Sequence, residues 1–199
     1  MVSISLGECR NLWLKKQQQQ AQRAQNIETN GIYVLMDQIN HATCRDAIKW
    51  IMNQNLSDNP LPQLTLIINS PGGDVHAAFA LIDTMKASSI PIKTVGLGLI
   101  ASCGFLIFIA GEKGKRILTP NTSILSHQYS WGSRGKEHEL YARVKEFELS
   151  TDRMIKHYKK CLGMTEAKIK EILLPPQDVW LSAEEAKRLK ICDKIEELY

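Results

Sequence analysis

Apolar residues in this chain gather into short runs separated by stretches of helical spacing. Ile32-Tyr33-Val34-Leu35-Met36, Leu64-Thr65-Leu66-Ile67-Ile68-Asn69 and Ile90 to Val95 have the length and apolar character of strands covered on both faces. Between the first two, Thr43 to Asn53 sets Cys44, Ala47, Ile48, Ile51 and Met52 on one helical face, with Thr43 as the expected N-cap. Asn55 to Gln63, with two prolines, reads as a loop. After the second strand, Ser70-Pro71-Gly72-Gly73 makes a sharp break, and Asp74 to Lys86 returns to helical spacing through Val75, Ala78, Phe79, Ile82 and Met85. Further on, Arg116-Ile117-Leu118 and Ser123 to Ser126 predict short strands flanking Thr119-Pro120-Asn121-Thr122. Glu137 to Lys160 is a long charged helix and Thr165 to Ile172 a shorter one stopped by Pro175-Pro176. Ser182 to Leu189 opens on a capping box, Ser182-Ala183-Glu184-Glu185. Strands alternating with helices predict an α/β fold with a largely parallel sheet and right-handed crossovers.

One stretch carries chemistry as well as pattern. Ile92-Lys93-Thr94-Val95-Gly96 reads as a strand ending in a glycine turn, and Ala101 to Ala110 as a serine leading into a buried helix. A hydroxyl at such a junction sits beside free backbone N–H groups that stabilise an anion, as an acyl-transfer nucleophile requires. Gly96-Leu97-Gly98-Leu99-Ile100-Ala101 fits a dinucleotide fingerprint in spacing. It falls in the third β–α unit, though, and no acid follows about 20 residues on to hold a ribose.

The remaining features narrow the classes. At 199 residues the chain is long enough to bury a substantial core. Cys9, Cys44, Cys103, Cys161 and Cys192 form no C-x-x-C pair, so neither a disulfide framework nor a metal site is expected. The net charge of +4 is mild, and basic residues alternate with acids, so nucleic-acid binding is not expected. No apolar run is long enough to span a membrane, and Met1 to Leu6 lacks the features of a signal peptide. Met1 to Asn30, with its run Gln17 to Gln20, is expected as a frayed helix or flexible arm ahead of a domain spanning 31–199.

A hydrolase of this kind needs a nucleophile, a base, an acid that orients the base, and two N–H donors. Ser102, His127 and Asp178 each stand at the end of a different predicted element. Cys103 offers one backbone N–H, and the Gly72-Gly73 segment offers another. Any one of these residues has an ordinary alternative: Ser102 as a helix cap, His127 as a structural strand-end residue, Asp178 as a turn cap.

Taken together with Ile68-Asn69-Ser70-Pro71-Gly72-Gly73, Ala101-Ser102-Cys103-Gly104, Ala110 to Arg116, Pro120-Asn121, His127-Gln128 and Leu181 to Ala186, the chain resembles the ClpP family of ATP-dependent serine peptidases. The resemblance runs from about Ile32 to the C-terminus. It implies a ClpP/crotonase-like fold of repeated β-β-α/β-α units with a protruding handle helix. It also implies Ser102 as nucleophile, His127 as base, Asp178 as orienting acid, and the N–H groups of Gly73 and Cys103 as oxyanion hole. Asp152 and Asp193 are the competing acids. A strand around Trp131 to Lys136 would line a peptide groove. Exposed Tyr141, Val144, Phe147, Leu149 and Met154 on the long helix would meet a partner.

The same resemblance implies unfolded polypeptide substrates, a homo-oligomer of stacked heptameric rings, an AAA+ unfoldase partner and no cofactor. A cytoplasmic location is expected, with an organellar stroma or matrix, or host cytoplasm for a viral member, as alternatives. Met36-Asp37, Tyr129 after His127-Gln128 and the first thirty residues depart from the family pattern. The rival readings are a non-catalytic ring subunit of a mixed complex and a crotonase-like acyl-CoA enzyme.

Overall fold

The computed structural model describes residues 10–11, 13–17, 27–130 and 132–198. The expected N-terminal arm lies largely outside them. Its described parts, 10–11, 13–17 and 27–29, are helical.

The elements are β1 (Ile32–Met36), α1 (His41–Asn55), β2 (Leu64–Ser70), α2 (Val75–Ala87), β3 (Ile92–Ala101), α3 (Cys103–Ile109), β4 (Arg116–Leu118), β5 (Ser123–Ser126), α4 (Glu137–Leu162), α5 (Glu166–Ile172), β6 (Val179–Ser182), α6 (Ala183–Arg188) and β7 (Lys194–Ile195). Every strand pair is parallel except β5–β6. β1, β2, β3, β4 and β7 lie side by side in that order. The expected α/β fold with a mostly parallel sheet is thus present.

β3 organises the sheet. Its first half pairs with β4, Thr94 opposite Arg116 through Gly96 opposite Leu118. Its second half pairs with β5, Leu99 opposite Ser123 through Ala101 opposite Leu125. The strand therefore does not stop at Gly96, as the turn reading required, but runs five residues further. Two glycines misled that reading because here they serve the sheet itself. A β-carbon on Gly96 would stand 2.6 Å from Leu118 Cδ2. Gly98 has φ +70 where the register against β2 jumps from Ile68–Gly96 to Ser70–Ile100, which is a bulge.

α3 is buried along its whole length and packs under the sheet with Phe105, Leu106, Ile107 and Phe108 at its centre. The cap of α1 is Asn40, not Thr43. Asn40 Oδ1 accepts from the N–H groups of Ala42 and Thr43, while Thr43 Oγ1 accepts from Asn40 N–H, a reciprocal capping box. Ser182 and Glu185 form the box expected at α6.

α4 is 26 residues long, and its two halves differ. Tyr141, Val144 and Leu149 are exposed as expected. Met154 is buried against the body, because the C-terminal half of the helix, with Ser150, Ile155, His157 and Tyr158, packs on α3 and α5. Residues 132–136 form no strand. Two glycines weaken strand propensity there, and Trp131 lies outside the described residues.

Two buried polar clusters hold the sheet to its helices. Arg116, 5 % exposed, pairs with Asp193 at 2.7 Å, and the Asp193 carboxylate also accepts from the backbone N–H groups of Gly114 and Arg116. Burial pushes that carboxyl up, but the Arg116 and Gly114 donors outweigh it and hold Asp193 below its usual range. Removing one partner of a buried pair strands the other charge. Asp193→Asn is expected to cost about 3 kcal/mol in a urea unfolding titration.

His157 Nε2 donates to the Leu106 carbonyl at 2.9 Å, while Nδ1 accepts from Lys86 Nζ at 3.1 Å. Burial, chiefly, lowers its pKa from 6.5 to about 4. The unfolded chain therefore binds this proton more readily than the folded one. Stability should be intact above about pH 6.5 and fall by roughly 3 kcal/mol as pH drops toward 4. Comparing denaturation at several pH values in the native protein and His157→Gln checks this, since the variant should lose that part of the pH dependence.

Candidate active site

The C-terminal ends of β2, β3 and β5 meet at one edge of the sheet. β2 runs into Pro71-Gly72-Gly73, β3 into Ser102, and β5 into His127. Gly72 (φ +94) and Gly73 (φ +147) hold conformations that side chains rarely adopt. A β-carbon on Gly72 would stand 2.6 Å from Ser102 Cβ, and one on Gly73 would run into the Ile39 carbonyl. Ile39 ties the loop down on one side, its N–H donating to Gly72 O and its carbonyl accepting from Asp74 N–H, both at 2.8 Å. The alternation of that bridge turns the Gly73 N–H away from Ile39.

Ser102 has φ +52, an uncommon value for a residue with a side chain, which costs about 1–3 kcal/mol. Its N–H is anchored on Leu125 O at 2.8 Å, and its carbonyl accepts from Phe105 and Leu106. Its hydroxyl makes no cap hydrogen bond, which removes the helix-cap explanation of this serine. The Cys103 N–H, at the first position of α3, has no intrahelical acceptor.

Ser102, Cys103, Gly73 and His127 line one cavity of about 50 Å³. His127 Nδ1 lies 2.6 Å from Gln128 O. A carbonyl oxygen only accepts, so Nδ1 carries the proton and Nε2 keeps its lone pair. Among the described residues, no hydrogen bond joins the His127 ring to Ser102 or to Asp178. Asp178 is exposed, one residue before β6. Ser126 pairs with Val179 in the antiparallel β5–β6 ladder, and continuing that register by one residue sets His127 opposite Asp178.

The competing acids are engaged elsewhere. Asp152 is exposed and pairs with Lys156 at 2.6 Å. Asp193 is held by Arg116, at the opposite end of the strands from Ser102.

Two features were not visible in the sequence. Cys103 Sγ donates to Gly73 O at 3.2 Å, joining the residues that carry the two N–H groups. Burial pushes this thiol up to about 11, so it stays a protonated donor at neutral pH. A second cavity of about 400 Å³ adjoins the first, walled by Tyr129, Phe147, Met154, Ile155 and Leu174. Its walls come from segments up to 48 residues apart, Gln128 to Pro176, and no local spacing announces it.

A serine held at positive φ between a parallel strand and a buried helix, with a histidine and glycine-loop amides on the same cavity, is an arrangement compatible with hydrolase-type chemistry on an α/β sheet. The profile of the Clp protease family matches residues 15–198. The ATP-dependent Clp protease proteolytic subunit of Deinococcus radiodurans is 34% identical over 139 residues, covering 70% of this chain and 67% of that protein. The chain belongs to the Clp protease family.

Because both strain and collision oppose a side chain at position 73, Gly73→Ala is expected to lose at least about 2 kcal/mol of stability. Thermal unfolding of the variant beside the native protein measures this.

Proposed function

We propose that the chain is a serine endopeptidase. Ser102 Oγ attacks the peptide carbonyl carbon while His127 Nε2 takes its proton. The developing oxyanion is met by the N–H groups of Gly73 and Cys103. Collapse expels the amine, which takes the proton from His127. Water then attacks the acyl-enzyme with the same imidazole as base. Asp178 orients the ring once its carboxylate replaces Gln128 O at Nδ1, adding a negative charge beside the imidazolium that forms. The continued β5–β6 register supports this role, since directly opposite residues in an antiparallel pair share a face with Cβ atoms about 5 Å apart.

The observation that carries the reading is the uncapped Ser102 hydroxyl sharing a cavity with His127 and the glycine loop. A fluorophosphonate probe should label Ser102, and labelling that survives in Ser102→Ala sinks the proposal. His127→Ala should lower peptide cleavage by 10²-fold or more, an order-of-magnitude figure for a lost general base. Asp178→Ala should lower it clearly while Asp152→Ala leaves it unchanged.

The substrates are unfolded polypeptides, and the working form is a closed homo-oligomer of stacked heptameric rings served by an AAA+ unfoldase in the cytoplasm. Support comes from the ATP-dependent relative and from exposed Tyr141, Val144 and Leu149 on the free half of α4, apolar surface suited to a second copy. No described helix is long and apolar enough to cross a membrane. Native mass measurement tests the assembly: a monomer under all conditions would count against the chamber.

One observation favours a second reading, a non-catalytic ring subunit. His127 Nδ1 rests on a neutral carbonyl rather than an acid. Cleavage of a fluorogenic peptide by the purified chain alone separates the two.

A further inference from the structure

Basic residues that alternate with acids along the sequence are gathered by the fold into one groove. Two cavities of about 310 and 550 Å³ meet at Lys113, Arg116, Lys160 and Cys161. Ile92 and Arg116, the first residues of β3 and β4, line the smaller one, so the groove lies at the end of the strands opposite to Ser102. Seven cationic side chains and two carboxylates line the pair. Arg116 and Asp193 neutralise each other. That leaves Lys86, Lys113, Lys160, Lys187, Arg188 and Lys190 against Glu112 alone, a net +5 on a chain whose whole charge is +4.

None of these six cations forms an ion pair among the described residues. Lys86 Nζ donates to the neutral His157 ring and Lys187 Nζ to the Asp193 carbonyl, so uncharged acceptors hold both in place. Arg188 acts on Glu185, but that carboxylate is occupied by the Ser182 N–H and hydroxyl. Lys190 sits at φ +61, a left-handed conformation that glycine adopts freely and lysine does not. The chain thus carries strain at a point where a lysine lines the groove. Like charges drawn together in a concave surface repel one another, and a cleft lined by one sign concentrates the potential that attracts a counter-ion.

We propose that this groove binds an oligophosphate, an anion carrying several phosphate groups in a row. A single carboxylate or phosphate would leave most of the charge uncompensated, whereas a chain of phosphates reaches both lobes. Five of the six cations are lysines, which act as point charges on phosphate oxygens. Among the described residues no aromatic side chain lines either lobe, so nothing there stacks on a base and the phosphates carry the recognition. Free oligophosphate and the triphosphate of a nucleotide share this chemistry, and the test separates them. Bound phosphates would tie together α2, α4 and α6, which supply Lys86, Lys160 and Lys187. The site is separate from Ser102 and does not rest on the peptidase reading.

Isothermal titration of inorganic tripolyphosphate into the full chain at low ionic strength should show saturable binding, tighter than that of sulfate and weakened by added salt. Tripolyphosphate should also raise the melting temperature of the native protein. Lys160→Gln, Lys187→Gln and Lys190→Gly should each weaken binding about two- to fivefold, the worth of one exposed charge contact. The three together should weaken it at least about tenfold. Lys168→Gln, at an exposed lysine outside the groove, should leave it unchanged. Lys190→Gly should melt no lower than the native protein, because glycine relieves the strain, so binding lost there is not folding lost. ATP bound as tightly as tripolyphosphate means that the triphosphate group is read whatever carries it. Weaker binding of ATP assigns the groove to the free oligophosphate. No saturable binding, binding no tighter than sulfate's, or an affinity unchanged in the triple variant overturns the proposal. So does poly-glutamate occupying the groove where tripolyphosphate does not, which would make it a docking surface for an acidic polypeptide.

Discussion

The close approach of the 72–73 loop to Ser102 is the constraint on which the rest of the site depends. Ser102 Cβ and the Ala101 carbonyl crowd the place a β-carbon on Gly72 would take, and the Ile39 carbonyl that of one on Gly73, so the loop admits only glycine at both positions. Ile39 clamps it from one side and the Cys103 thiol from the other. The result is that two peptide N–H groups, from residues 30 apart in sequence, belong to one rigid unit. In the oxyanion-hole role proposed for them, such preorganisation would make their hydrogen bonds effective toward a developing charge, because nothing would have to reorient as the charge appears.

The sheet makes this arrangement possible. Parallel strands bring their C-terminal ends to a single edge, and three of those ends carry the glycine loop, the serine and the histidine. β3 must therefore be long: its first half joins β4, and its second reaches β5 so that His127 arrives beside Ser102. The bulge at Gly98 gives the strand the bend that lets it serve both neighbours. The sheet is anchored to its helices by the buried α3 core, the Arg116–Asp193 pair and the His157 cluster. The strained turn at Ser102 can persist because those parts hold its surroundings in place.

In this structure the His127 ring proton is held by a backbone group, not by a side chain. The Gln128 carbonyl fixes the tautomer that a general base requires, with Nε2 free, but supplies no full charge. An acid opposite in the ladder would add that charge when the ring becomes positive.

Much of the fold was legible because hydrophobic spacing is a local property. The strands β1, β2 and β5, the helices α2, α4 and α5 and the capping box at α6 follow from residues within a few positions of one another. Ser102, His127, Gly73 and Cys103 were legible as candidates for the same reason, each sitting at the end of a readable element. The length of β3, the cap at Asn40, the burial of Met154, the Cys103–Gly73 contact, the second cavity and the basic groove depend on which distant segment lies alongside. Pairing partners and packing neighbours are set by the whole chain's burial, so a run of residues determines its own periodicity while only the folded chain decides what that run touches.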